Sequence, residues 1–182
     1  MAQRFPYQLM FELLKVFGSI VLRRLGPEDL PSSGFLLGLT AVIYVLAQVP
    51  VALPAFGTPG NAAYALAIDL TLLVTCLWAL LRITGFGSRY QQTLTALLGT
   101  SALLSLASVP FTLWLLSSVD APVGSNAVPN AMILAIIIWS LVVNGHILGR
   151  ALSRSFGIGL MVAIAYFFLQ STLLSEFIPA DP

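Results

Sequence analysis

The sequence predicts an all-α, polytopic membrane helix bundle: five transmembrane helices preceded by an N-terminal amphipathic interfacial helix. Three observations carry this expectation. With 58% hydrophobic and 8% charged residues, the 182-residue chain has too little polar surface to cover a water-soluble globule. Five apolar stretches are each long enough for a crossing, which takes about 20 helical residues. The eight Lys and Arg residues gather only in alternate joints between those stretches, the positive-inside pattern of an inserted bundle.

The first element covers residues 5–25. Gln8, Glu12, Lys15, Ser19 and Arg23 recur at spacings of four, three, four and four, one polar stripe on an otherwise apolar helix that Gly26 and Pro27 should end. Glu12 and Lys15 also interrupt the apolar core that a secretory signal would need. A polar residue at every turn suits a helix lying in the cytoplasmic interface, or docked on the bundle, better than a sixth span. The chain thus divides into a head and linker, 1–32, and a transmembrane part, 33–182.

Span one, 33–53, follows a serine pair that can cap its start and should end near Pro54. Span two, 61–83, carries Asp69. Span three, 92–117, contains Pro110, which removes a backbone donor and should kink it. Spans four and five take 128–149 and 155–174. The joints "PAFGTPGN", "TGFGSRYQ", "SSVDAPVGSNAVPN" and "GRALSRS" are rich in Pro, Gly, Ser and Asn.

On this map Arg4, Lys15, Arg23 and Arg24 precede span one. Arg82 and Arg89 flank the joint of spans two and three, and Arg150 and Arg154 lie between spans four and five. The opposite joints and the tail "SEFIPADP" have no Lys or Arg. The expected topology is a cytoplasmic N-terminus and a periplasmic or external C-terminus. Seven arginines against one lysine point to a GC-rich genome, and on that ground to a bacterial inner membrane.

Chemistry-bearing residues are few. His146, the single histidine, lies about 27 Å from the outer end of span four, one turn from Arg150, as an interfacial residue at a helix C-terminus would. With Arg82, Arg89, Arg150 and Arg154 it makes up a cytoplasmic interface. No second histidine or nearby carboxylate offers metal-ligand spacing, so no metal or cofactor is expected. Cys76 has no second cysteine for a disulfide or redox motif.

Asp69 is about 12 Å below the outer end of span two, where an ionisable group costs several kcal/mol unless protonated, partnered or facing water. Span one runs the opposite way and brings Tyr44 to the same depth, with Thr40 and Gln48 a turn to either side. A Tyr44 to Asp69 hydrogen bond is the first expectation. Two readings stand: a polar clasp between helices, or a proton- or cation-coupled site. Elsewhere Ser101, Ser105, Ser108 and Thr112 form one stripe of span three, and Gly159, Ala163, Tyr166 and Gln170 one of span five. Span four carries Ser140 and Asn144. Small and hydroxylated faces hold helices together in lipid, so Ser101, Ser105, Ser108, Gly159 and Ala163 are expected at helix contacts, with the lining of a pore as the alternative for such stripes. Trp78, Trp114 and Trp139 need only lipid or interface contact.

A Ser/His/Asp device would require His146 to reach Asp69 across about 15 Å of depth. No Gly-rich phosphate loop, paired carboxylates or HExxH occurs. The chain is therefore expected not to be an enzyme. A net charge of +1 without a Lys/Arg cluster leaves no nucleic-acid signature.

The stretches "SRYQQTLTALLGTSALLSLASVP" (88–110) and "IIIWSLVVNGHILGRALSRSFGIGLMVAIAY" (136–166), together with the N-terminal segment, resemble the Yip domain family (Ypt-interacting proteins). The shared landmarks are a tyrosine-led, serine-rich third span meeting a proline, then a tryptophan, a short basic turn and a final helix. The resemblance covers most of the chain and implies a five-span protein of bacterial type. Eukaryotic members act in vesicle traffic and contact small GTPases through longer N-terminal regions; the head at 1–32 is short, so that role is not carried over, and no functional residue transfers. The expected function is a non-enzymatic scaffold or accessory subunit, with membrane lipids and other integral membrane proteins or further copies of the chain as partners. The alternative is a small proton- or cation-coupled transporter or channel using Asp69.

Overall fold

The structure, a computed structural model, describes residues 6–118 and 126–177, with side chains from residue 12. Those residues are helical and turn-forming, without a strand. The helices are α1 (Pro6–Val21), α2 (Gly34–Phe56), α3 (Pro59–Ile83), α4 (Tyr90–Ser117), α5 (Ala127–Ala151) and α6 (Phe156–Phe177). Five of them, α2 to α6, are long and apolar enough to cross a membrane, which makes the chain a polytopic helix bundle. Arg4, the Gln8 side chain, the middle of the α4–α5 joint and the end of the tail lie outside the described residues.

Local signals set most helix ends. The Ser33 hydroxyl accepts the Leu36 N–H at 3.4 Å, and Thr58 accepts the Asn61 N–H at 3.1 Å ahead of Pro59 at the first helical position. Two expected ends move. The helix of span one passes through Pro50 and Pro54 and stops at Gly57, whose positive φ (73°) lets its N–H reach the Leu53 carbonyl. A proline costs only its own hydrogen bond where the helix is about to end. The first helix stops at Val21, short of Gly26. Arg23 takes the left-handed conformation (φ 60°), and the Arg24 N–H returns to the Ser19 carbonyl at 2.9 Å. Arg23 thereby leaves the polar stripe, and its guanidinium lies over the Phe156 ring, 4.3 Å from the centroid.

Order in the chain is not order in space. α4 is flanked by α2 and α5, α5 packs along α6, and α3 lies beside α2 with sparse contacts to α4 and α6. The five spans thus close a ring, α2–α4–α5–α6–α3. α4 is its central member, and every residue from Thr93 to Thr100 is buried. Its hydroxyls satisfy themselves on their own helix: Thr93 on the Arg89 carbonyl, Thr95 on Gln91 and Thr100 on Ala96, all at 2.7–2.8 Å.

α1 is docked on the bundle. The Phe17 ring occupies the place a side chain at Gly99 would take, since a Cβ there would come within 2.3 Å of it. Ile20 and Leu30 are buried, while Glu12 and Lys15 of the polar stripe are exposed. Further contacts tie the head to the joints. Gln92 donates to the Leu30 carbonyl at 2.7 Å, Arg150 Nε to Glu28 at 2.6 Å, and Arg89 to the Arg150 and Ala151 carbonyls and Ser153 Oγ at 2.7–3.2 Å. His146 does not simply face water and lipid phosphate. Its Nε2 lies 3.0 Å from the Leu25 carbonyl, and because a carbonyl only accepts, that nitrogen carries the proton.

Candidate functional site

Near their turn α2 and α3 carry small buried residues, Ala52 on one side and Ala62 and Ala65 on the other. Ala62 and Ala65 share the helix face of Asp69, which is itself 8% exposed. The close approach lets the Tyr44 hydroxyl donate to Asp69 Oδ2. Gln170 of α6 donates its amide to Asp69 Oδ1. One turn from Tyr44, Gln48 donates to the Tyr44 oxygen at 3.0 Å and accepts from the Ser105 hydroxyl of α4. The result is one unbroken chain, Ser105–Gln48–Tyr44–Asp69–Gln170, drawn from four helices. Both carboxylate oxygens and both ends of the Gln48 amide are engaged. A buried polar network is stabilising only when satisfied in this way.

This network lies between two cavities. The larger, about 530 Å³, is lined by residues of all five spans. Its lining runs from Thr112 of α4 and Ile133 of α5 past Tyr44, Gln48, Asp69 and Gln170 to Leu80 of α3, about 16 Å from Asp69 by helical rise. The smaller, about 120 Å³, lies toward the α2–α3 turn among Ala52, Ala55, Phe56, Leu66 and Leu174. Gln48, Asp69 and Gln170 border both. With Val51 they make up the wall that the two cavities share.

The cavity bears on the two uses open to the serine stripe. Ser101, Ser105, Ser108 and Thr112 form a stripe, but it lines the large cavity, with Ser105 alone of the four donating to another helix among the described bonds. Ser140, Asn144, Tyr166 and Gln170 join the same wall. A serine can sit there without a neighbour because its hydroxyl bonds the preceding turn, as Ser108 does with the Ser105 carbonyl at 2.7 Å and Ser140 with Ile137 at 2.7 Å. Gly159 and Ala163 are buried at the α5–α6 contact; a Cβ at Gly159 would be 2.1 Å from the Gly145 carbonyl oxygen. Arg82 closes the last turn of α3, and Arg154 lies in the α5–α6 joint, its N–H on the Gly149 carbonyl at 2.9 Å.

Gln170 is the partner not foreseen for Asp69. It was visible as a polar residue on the small-residue stripe of span five, and counting back from that span's outer end brings it within about a turn of Asp69 in depth. The Tyr166 hydroxyl is buried without a hydrogen-bond partner among the described residues, and Tyr166 is one of the residues lining the large cavity. Among the described residues no three His, Cys, Asp or Glu side chains cluster as a metal site. His146 borders neither cavity.

Comparison of the chain with protein-family models, curated proteins and solved structures finds no match in any of the three, so the Yip domain likeness rests on the sequence landmarks alone.

Proposed function

We propose that the chain is a small membrane transport protein in which a proton or cation at Asp69 is coupled to passage of a solute through the five-helix cavity. The observation that carries this reading is the position of Asp69 on the wall common to both cavities. A clasp whose sole task is to join two helices needs no space on either side of it. An intramembrane acid costs several kcal/mol relative to an apolar residue, a cost expected where the group handles charge. With the arginine-bearing joints cytoplasmic, the smaller cavity faces the outside, and the Gln48–Tyr44–Asp69–Gln170 layer acts as the outer gate.

The test is flux in proteoliposomes loaded with a pH-sensitive dye. Transport through this site predicts a protein-dependent proton or cation flux that Asp69→Asn abolishes and Tyr44→Phe alters. Equal flux in wild type and Asp69→Asn would refute it.

A non-enzymatic scaffold or accessory subunit in the bacterial inner membrane, of Yip domain type, is the second reading, and α6 favours it. Among its described residues only Gly159 and Ala163 are buried, so most of its surface is open to lipid or to another helix. Extraction in mild detergent separates the two. A stoichiometric partner or defined homo-oligomer without any flux supports the scaffold.

A further inference from the structure

We infer that the larger cavity takes an amphipathic organic cation, an apolar body carrying one ammonium group, with Asp69 as its counter-ion; this deepens the transport reading and rests on it for the ligand's passage. Its wall contains one carboxyl group and no Lys, Arg or His among the described residues. An anion inside would be desolvated with nothing positive to face, whereas a monovalent cation finds a single opposite charge.

Size and shape narrow the class. A volume of about 530 Å³ falls in the range that accommodates small organic ligands. The wall is polarised along its length. Asp69, Tyr44 and Gln170, with Ser105, Ser108 and Thr112, lie in one half, and Leu80, Leu97 and Leu148 at the opposite end, about 16 Å from Asp69. A head at the acid and a tail among the leucines match that division. Aromatic rings beside a carboxylate favour an ammonium group, through their negative faces as well as through the charge.

The same wall argues against a bare metal ion. Hard cations take about six or more oxygens at short range. Here both Asp69 oxygens already accept hydrogen bonds, and no cluster of three metal-binding side chains exists among the described residues. A proton alone would make no use of the leucine-lined length.

The experiment is equilibrium binding to the full chain in lipid nanodiscs, with hexyltrimethylammonium and hexanesulfonate as probes of one tail and opposite heads. Saturable binding of the ammonium, at least tenfold tighter than of the sulfonate, is expected. Asp69→Asn should erase that preference, and Leu141→Trp, which fills the middle of the cavity and leaves the hydrogen-bonded layer intact, should abolish saturable binding. Equal binding of the two probes by wild type, or ammonium affinity unchanged in either variant, overturns the inference. If Asp69→Asn does not fold, wild-type selectivity and Leu141→Trp still decide. Ammonium binding without flux would refute transport and keep the ligand class; proton flux without ammonium binding would do the reverse.

Discussion

Replacing Gly159 by alanine tests whether the α5–α6 pair is held by direct backbone contact. A Cβ at this position would lie 2.1 Å from the Gly145 carbonyl oxygen, 2.4 Å from the Gly149 nitrogen and 2.7 Å from the Gly149 Cα. All three are backbone atoms, so no side chain can swing aside. Reaching ordinary contact requires the helices to part by about an ångström, which loosens the packing along their shared length. Overpacking of this kind costs about 1–3 kcal/mol. Gly157, half a turn earlier on the same helix, has no atom within 4 Å of the equivalent Cβ. There alanine only removes backbone freedom from the unfolded chain, a gain of at most about 1 kcal/mol. Denaturation in mixed micelles, followed through the tryptophan fluorescence that Trp139 on α5 contributes to, should therefore rank Gly157→Ala at or above wild type and Gly159→Ala well below. If the two variants unfold within about 0.5 kcal/mol of each other, less than either mechanism predicts, the close-contact argument fails.

Other perturbations address the head and the joints. Phe17→Ala should cost about 3 kcal/mol by emptying the site over Gly99, and should speed tryptic cleavage after Arg23 and Arg24, measured on a gel; an unchanged rate would mean that α1 is held by something else. Arg89→Ala withdraws the donor shared by the Arg150 and Ala151 carbonyls at the end of α5 and should lower stability by about 1–2 kcal/mol. Glu28→Gln breaks a pair whose side chains are 46% and 47% exposed and should cost less than about 1 kcal/mol. The reverse ranking of these two in thermal denaturation would contradict the capping role of Arg89. Alkaline phosphatase fused after Pro182 should be active outside the cytoplasm, and an inactive fusion would overturn the topology read from the arginines.

Fold class was legible because insertion in lipid leaves few alternatives. Each crossing must be a helix that satisfies its own backbone, so hydropathy alone counts the spans. The pairing of Tyr44 with Asp69 was legible because two antiparallel helices joined by a short turn have matching depths near that turn. What the sequence could not provide was the ring order. Nothing in the residues of span one says that it lies along span three, or that span five meets span two. For that reason Gln170 and Ser105 entered the network unannounced, and the serine stripe of α4 could be read as a helix contact or a pore lining, when it lines the cavity and, through Ser105, also meets α2. Serine is small enough for either use, and its hydroxyl is satisfied locally in both. The end of α1 was misplaced for a different reason: Gly26 is the expected stop, yet Arg23 adopts the left-handed turn ahead of it, over the Phe156 ring.

The uneven packing around the ring indicates where a gate could open. α5 and α6 are joined backbone to backbone through Gly145, Gly149 and Gly159, and separating them would forfeit a long run of close contact. α3 and α6 touch sparsely, and the bond between Asp69 and Gln170 is the one side-chain hydrogen bond described across that seam. Hydrogen bonds between membrane helices contribute on average about 0.6 kcal/mol each, so breaking the three that join helices, Ser105–Gln48, Tyr44–Asp69 and Asp69–Gln170, costs only about 2 kcal/mol. That corresponds to an open population of about 3%, within reach of a ligand that prefers the open state. Opening should therefore move α3 away from an α5–α6 pair that stays together, and distances from spin labels on α3 should change against α6 while those between α5 and α6 stay fixed.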